Sequence, residues 1–225
     1  LLDNFIAQYK INISKKLSQK DYYDLAALLY RYKDIFVQDV LNLKPMKIPP
    51  VRWYTKHHGV CKTRQYRLSD EAMKEIDKQV QQLEKSGLIE PATLEGMQRY
   101  LTPVTIVKKY DGSARLVCDY RKINSITRAF SCNFPAVDDV IHKITRNNSC
   151  IYSTIDVKAA YWSVPLHRKS RNMTTFMNPL TQKYYRWKVC AFGAVSSGNS
   201  WNNAIQTILR QLGDSNNITF YVDDG

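Results

Sequence analysis

The run Tyr221-Val222-Asp223-Asp224-Gly225 sets two adjacent carboxylates at the tip of an apolar, β-prone stretch, Ile218 to Val222. A strand leading into a turn, with glycine after it, predicts a hairpin. Ionised neighbours repel, so a fold that holds both at a strand end gains if a cation sits between them. Magnesium takes carboxylate and phosphate oxygens, and two such ions drive in-line phosphoryl transfer. A third carboxylate in a similar setting, Asp156, follows the β-prone run Ile151-Tyr152-Ser153-Thr154-Ile155. On spacing alone, Asp223 and Asp224 read equally as solvated turn residues or as cation ligands. Val137-Asp138-Asp139-Val140 repeats the triplet as an internal control. It follows Pro135 and opens the helical pattern Val137, Val140, Ile141, Ile144, where acids suit the positive end of a helix dipole.

A chain of 225 residues can build one large domain or two small ones. Lys and Arg number 33 against 20 Asp and Glu, a formal net charge of +13. That excess favours a polyanionic partner, although a merely basic soluble protein has the same balance. Fifteen Tyr and four Trp suit base stacking and ordinary cores alike. The cysteines, Cys61, Cys118, Cys132, Cys150 and Cys190, are odd in number and contain no C-x-x-C pair. They imply neither a disulfide framework nor a zinc site, and a reducing compartment suits them. His57-His58 reads as a solvated loop pair. No apolar run reaches membrane-spanning length and Leu1 onward lacks a signal-peptide pattern, so no membrane partner is expected. With no initiator Met and a turn signal as its last residues, the chain reads as a piece of a longer polypeptide.

Periodicity predicts a helix over 18–36, capped by Ser18, with Tyr22, Leu25, Leu28, Leu29, Tyr32 and Phe36 on one face. Pro45, Pro49 and Pro50 mark a linker near 42–52. A second helix runs from Ser69 to Ser86 with Ile76, Val80 and Leu83 as its apolar stripe, ending at Gly87. Val104 to Val107 and Arg115 to Cys118 flank Tyr110-Asp111-Gly112-Ser113, a strong hairpin signal, with Lys108, Lys109 and Arg115 around the turn. Further helices are expected over Pro135–Thr145 and Ser200–Leu212, the latter burying Trp201, Ala204, Ile205, Ile208 and Leu212. A β-pair is expected from Phe176-Met177 and Tyr184 to Trp187. Helices and antiparallel hairpins without a regular βαβ alternation make the fold class α+β.

Taken in order, these motifs resemble the reverse transcriptase of long-terminal-repeat retrotransposons of the gypsy-like group. The matching stretches are Tyr66 to Ser69, Lys85 to Ile89, Thr102-Pro103-Val104, Lys108 to Ser113, Arg115 to Asn124, Ser153 to Tyr161, Ala191-Phe192-Gly193 and Tyr221 to Asp224. The Lys-Lys-x-Asp-Gly-Ser hairpin, followed by Arg-x-x-x-Asp-Tyr-Arg-Lys-x-Asn ahead of both carboxylate motifs, is the most specific part. Residues 18–36 look like the segment joining protease to polymerase in such polyproteins.

The resemblance implies a right-hand polymerase, fingers and palm with an antiparallel sheet and packed helices, thumb absent. A helical linker segment over 1–50 would precede fingers at 51–127, palm at 128–165, fingers again at 166–191 and palm at 192–225, cut at the Tyr-Val-Asp-Asp turn. Asp156, Asp223 and Asp224 match the catalytic triad and, with Val157, would hold two magnesium ions, manganese being the substitute. Lys109 and Arg115 match the residues that hold the triphosphate, as ammonium and forked guanidinium suit. Tyr161 matches the position under the sugar that rejects a 2′-hydroxyl, and Phe192 and Gly193 would flank the incoming nucleotide. The implied partners are an RNA or DNA template-primer, a deoxynucleoside triphosphate, and the protease, ribonuclease H and integrase of a Pol polyprotein. The implied setting is a cytoplasmic virus-like particle whose product goes to the nucleus.

The sequence departs from the family pattern in one loop. Cys190-Ala191-Phe192-Gly193-Ala194 stands for Leu-Pro-Phe-Gly-Leu and Gly198 for a later Pro, which should loosen the turn shaping the nucleotide pocket. Residues 57–66 are also shorter than the family's loop. The rival reading is a catalytically dead or host-reused nucleic-acid-binding relic. Another two-metal nucleotidyltransferase or nuclease is a third, against which the Lys-Lys-x-Asp-Gly-Ser hairpin argues.

Overall fold

A computed structural model of the chain describes residues 1–108, 110, 112–128, 136–146, 151–211 and 218–221. The chain divides into two compact units, Leu1–Leu43 and Lys44–Gly225.

In the first unit, α1 (Leu2–Gln8) and α2 (Gln19–Arg31) share a small core. Ser18 caps α2 as expected, its hydroxyl accepting from the Asp21 N–H at 3.2 Å. The helix stops at Arg31, and a single 3₁₀ turn over Lys33–Ile35 follows rather than a helix to Phe36. Phe5, Ile6 and Ala26 are buried with Leu29, Tyr30 and Phe36 packed on them. The Phe5 ring meets Tyr30 and Phe36 edge-on, each at 5.5 Å. Leu28 and Tyr32, expected on the buried stripe, are 51% and 54% exposed. The aromatic cluster contributed by α1, which shows no periodicity in so short a run, shifts the buried face of α2 towards Ala26 and Tyr30.

The second unit runs through β1 (Cys61–Lys62), α3 (Asp70–Lys85), β2 (Ile89–Pro91), α4 (Leu94–Arg99), β3 (Tyr100–Leu101), β4 (Val104–Lys108) and β5 (Ala114–Cys118). It continues with α5 (Arg121–Ile126), α6 (Val137–Arg146), α7 (Arg168–Arg171), β6 (Phe176–Met177), β7 (Tyr184–Trp187) and α8 (Val195–Gln211). Strands β2, β7 and β6 form an antiparallel sheet in that order. Strands β1 and β3 make a short parallel pair, and β4 and β5 an antiparallel hairpin in register from Val104 with Cys118 to Lys108 with Ala114. The α+β class holds.

Helix α3 follows its local signals closely. Ser69 caps it, Asp70 and Glu71 occupy its first turn, and Ile76, Val80 and Leu83 are buried. Gly87, at φ +73°, closes it, with the Leu88 N–H reaching back to the Leu83 carbonyl at 3.0 Å. An isolated two-stranded hairpin is marginal in water, and β4–β5 is reinforced on both edges by glutamine amides. Gln65 exchanges two bonds with the Val104 backbone, at 2.7 and 2.9 Å. Gln79 of α3 accepts from the Leu116 N–H at 2.8 Å and donates to the Ala114 carbonyl at 3.0 Å. Each amide replaces the missing neighbouring strand.

Helix α8 begins at Val195, five residues before the expected Ser200. Ser196, Ser197, Gly198 and Ser200 are poor helix formers, but burial recruits them. The Ser197 and Ser200 hydroxyls donate to the Ala191 and Ser196 carbonyls, both at 2.6 Å. Trp201, Ala204 and Ile205 are buried as expected. Ile151–Ile155 and Ile218–Phe220, expected as strands, are not strands, and Asp156 and Tyr221 each sit at a single isolated bridge. Ile151 and Ile155 are 73% and 63% exposed. A β-prone run becomes a strand only when a neighbour takes its N–H and C=O groups, and no ladder partner stands beside these among the described residues.

Candidate functional site

Four sequence-predicted residues from three separate motifs converge. Arg115 leaves β5 opposite Val107 and lays its guanidinium over the Phe192 ring, 4.2 Å from the centroid. The Tyr161 ring also packs on Phe192, 5.1 Å away and tilted by 49°, and Trp162 stands 5.6 Å from it. Gly193 follows Phe192 at φ +85°, a backbone shape glycine adopts at little cost. Tyr161 lies in a 3₁₀ turn, Ala160–Ser163, entered through Ala159 at φ +50°. That left-handed residue turns the chain sharply between Asp156-Val157 and the aromatic pair.

The loop expected to be loose is clamped. The Asn124 side chain donates to the Gly193 carbonyl and accepts from the Val195 N–H, both at 2.9 Å. From below, Cys190 and Ala191 are fully buried, and the Cys190 N–H bonds the Val164 carbonyl at 3.0 Å. The absent prolines are replaced by side-chain hydrogen bonds. Asn124 lies in the Arg115–Asn124 motif, and nothing in the sequence alone marks it as the loop's anchor.

A second constellation, built from residues of two matching stretches, was not assigned a role by sequence reasoning. Asp119 holds Arg121 through a forked pair, with an Nη2–Oδ2 distance of 2.7 Å, and accepts from the Tyr66 hydroxyl. The Arg121 hydrogen bonds, then Tyr66, hold the Asp119 carboxyl well below the usual carboxylate range, and Asp119 in turn raises the Arg121 guanidinium. The result is a fixed, 86% exposed cation beside the Arg115 strand. Its signal was the co-occurrence of Tyr66 and the Asp119-Tyr120-Arg121 run. The buried thiols have no such role: burial pushes Cys118 up to about 11 and Cys190 up to about 12, so neither is a nucleophile at neutral pH.

Arg115, Tyr161, Phe192 and Gly193 are thus brought together. Asp156 is exposed and Val157 half-buried at the start of the turn that leads to Tyr161. Lys109, Asp223 and Asp224 lie outside the described residues. Asp138 and Asp139 sit in the first turn of α6, as expected. Among the described residues no group of three or more His, Cys, Asp or Glu side chains could hold a metal ion. Asp156, an exposed carboxylate followed by the Val157 carbonyl, supplies the hard oxygen donors that a divalent cation such as magnesium takes.

Residues 107–225 match the family model described as reverse transcriptase (RNA-dependent DNA polymerase), and the chain belongs to that family. The reaction class of that family is nucleotidyl transfer. A putative enzymatic polyprotein of Cassava vein mosaic virus is 30% identical over 154 residues, covering 67% of the chain and 23% of the polyprotein. The retrovirus-related Pol polyprotein from transposon 297 of Drosophila melanogaster is 26% identical over 214 residues, covering 92% of the chain and 19% of the polyprotein. The chain therefore spans about a fifth to a quarter of these relatives. The Prototype Foamy Virus protease-reverse transcriptase shares the fold at TM-score 0.80 and 22% identity, covering 99% of the chain and 28% of the solved one. A foamy viral protease-reverse transcriptase in complex with RNA/DNA hybrid matches at TM-score 0.78 and 23% identity, with 99% and 28% covered. The fold is the fingers-and-palm part of such an enzyme.

Proposed function

We propose that this chain is the fingers-and-palm segment of an RNA-directed DNA polymerase within the Pol polyprotein of a gypsy-like retrotransposon. The retrotransposon assignment is supported by the likeness to the transposon 297 polyprotein, which extends over 92% of the chain. The observation that carries the function is the cluster of Arg115, Phe192 and Tyr161, three residues from distant motifs, with Arg115 and Tyr161 both within 5.1 Å of the Phe192 ring.

The chemistry follows from what each residue offers. A guanidinium held over Phe192 offers N–H donors to phosphate oxygens. Arg115, with Lys109, receives the triphosphate of a deoxynucleotide. Phe192 and Gly193 line one side of that nucleotide, and the Asn124 clamp keeps them in place. Tyr161 fills the space where a 2′-hydroxyl would sit, so a ribonucleotide is rejected by its extra oxygen. The primer 3′-oxygen then bonds the α-phosphorus as the bond to the bridging oxygen breaks and pyrophosphate leaves. Asp156, Asp223, Asp224 and the Val157 carbonyl would hold two magnesium ions, which when bound lower the hydroxyl pKa and neutralise the leaving charge.

Primer extension with deoxynucleotides against ribonucleotides, by wild type and Tyr161→Ala, tests this reading. Loss of the ring is expected to raise ribonucleotide use roughly tenfold to a hundredfold while deoxynucleotide use changes little. Unchanged discrimination would remove Tyr161 from the nucleotide site.

A further inference from the structure

A cavity of about 560 Å³ opens in the second unit, lined by none of the residues assigned to the nucleotide site. Its cationic side chains are Arg52, Arg99, Arg128 and Lys169, against the single carboxylate of Glu95. They come from four places in the chain, and each place is anchored. The Trp53 N–H donates to the Ser170 hydroxyl at 2.9 Å, and that hydroxyl returns to the Trp53 carbonyl at 3.1 Å. This pins the Arg52 segment against α7, which carries Lys169. The Arg128 N–H bonds the Tyr54 carbonyl at 2.8 Å, and Thr55 bridges to Thr127. Arg99 closes α4, its guanidinium 5.3 Å from the buried Tyr100 ring, and Arg52 lies 5.2 Å from the Tyr54 ring.

Like charges gathered around one concavity repel, and no second carboxylate lines it to offset them. Among the described residues Arg52, Arg128 and Lys169 form no ion pair, and Arg99 forms one, to the exposed Glu95 at 3.4 Å. The Arg99 Nη2 atom is buried and has no hydrogen-bond partner. A buried, unbonded guanidinium nitrogen is costly. The Arg99 side chain is still 28% exposed where it lines the cavity, so an acceptor that arrives from outside can reach it.

We propose that the cavity is an anion seat for the phosphates of a single nucleic-acid strand, separate from the site where nucleotide is added. Arg99, Arg52, Arg128 and Lys169 supply its cationic donors. The proposal rests on the reading of the chain as a template-dependent polymerase. A strand fits better than a free anion because the cations line an open concavity beside the exposed Tyr54 ring, a mix of charge and aromatic surface that tracks a backbone.

The test is fluorescence anisotropy with a labelled oligo(dT) of about 12 nucleotides, on the full chain, across a salt series. Arg52→Gln/Arg128→Gln/Lys169→Gln is expected to weaken binding about tenfold or more and to lower the salt slope by about 2 to 3. Lys15→Gln/Lys16→Gln/Lys20→Gln, with the same charge change in the first unit, should leave binding near wild type. Arg99→Lys keeps the charge but loses the fork, and should weaken binding with an unchanged melting temperature. Equal weakening in both triple variants would reduce the effect to bulk charge and overturn the seat. Displacement of the oligonucleotide by equimolar inorganic phosphate or dAMP would overturn the strand in favour of a free-anion site. Wild type that binds while the cavity variant binds equally well defeats only this proposal. Wild type that fails to bind any strand defeats the polymerase reading with it.

Discussion

Asn124 uses both ends of its amide on the Phe192-Gly193 loop, so Asn124→Ala strands a carbonyl and an N–H. Both groups are solvent-exposed, so we expect a loss of about 0.5–1.5 kcal/mol in chemical denaturation and a raised KM for deoxynucleotide in primer extension. Gly193 acts through its backbone instead. A Cβ there would stand 3.7 Å from the Cys118 carbonyl oxygen and from the Tyr120 ring, ordinary contact distances. The cost of Gly193→Ala is therefore the strain of φ +85°, about 1 kcal/mol, read from the same denaturation curves. Asp119 is a pH-dependent strut. Its folded pKa lies below the unfolded value of about 3.9. Its contribution to stability is thus present above about pH 4 and is lost as the pH falls toward the folded value. Melting temperatures between neutral and strongly acidic pH should show an acid limb that Asp119→Asn flattens; an identical limb in the variant would remove Asp119 as its source.

Elements differ in how much of their shape is written locally. Helix α3 was legible because cap, first-turn acids, apolar stripe and terminal glycine all lie within its own residues. The β4–β5 hairpin was legible from its turn, but its stability was not. That depends on Gln65 and Gln79, which carry no strand signal and act only once the helix and the loop are in place. Gln79→Ala should destabilise the protein by about 1–2 kcal/mol and speed hydrogen exchange at Leu116. Gln81→Ala, whose amide meets Asp77 on the exposed face at 2.8 Å, should stay within about 0.5 kcal/mol. The start of α8 was hidden because Ser196, Ser197 and Ser200 become helical only through burial. The runs before Asp156 and Tyr221 have β composition without a ladder among the described residues, since composition cannot supply the neighbour a strand requires.

At the scale of the molecule, the sheet and its surrounding helices are tied by one polar network. Glu90 of β2 takes Arg171 of α7 at 3.1 Å and Arg186 of β7 at 2.7 Å, and Arg186 reaches on to Asn172 at 2.5 Å. Glu90→Gln leaves two guanidiniums, one of them only 8% exposed, without their carboxylate. We expect a loss of about 2–3 kcal/mol, below the figure for a fully buried pair because Glu90 is partly solvated. The family was legible from motifs that include Asn124, Tyr66 and Asp119, whereas the contacts by which these three hold the Phe192-Gly193 loop and Arg121 in place were not. The most direct measurement is primer extension on an RNA template by the polyprotein segment containing this chain, wild type beside Asp223→Asn, with template binding followed in parallel. The account predicts magnesium-dependent extension that vanishes in the variant while template binding is retained. Extension that survives Asp223→Asn, or template binding without extension in the wild type, would contradict it.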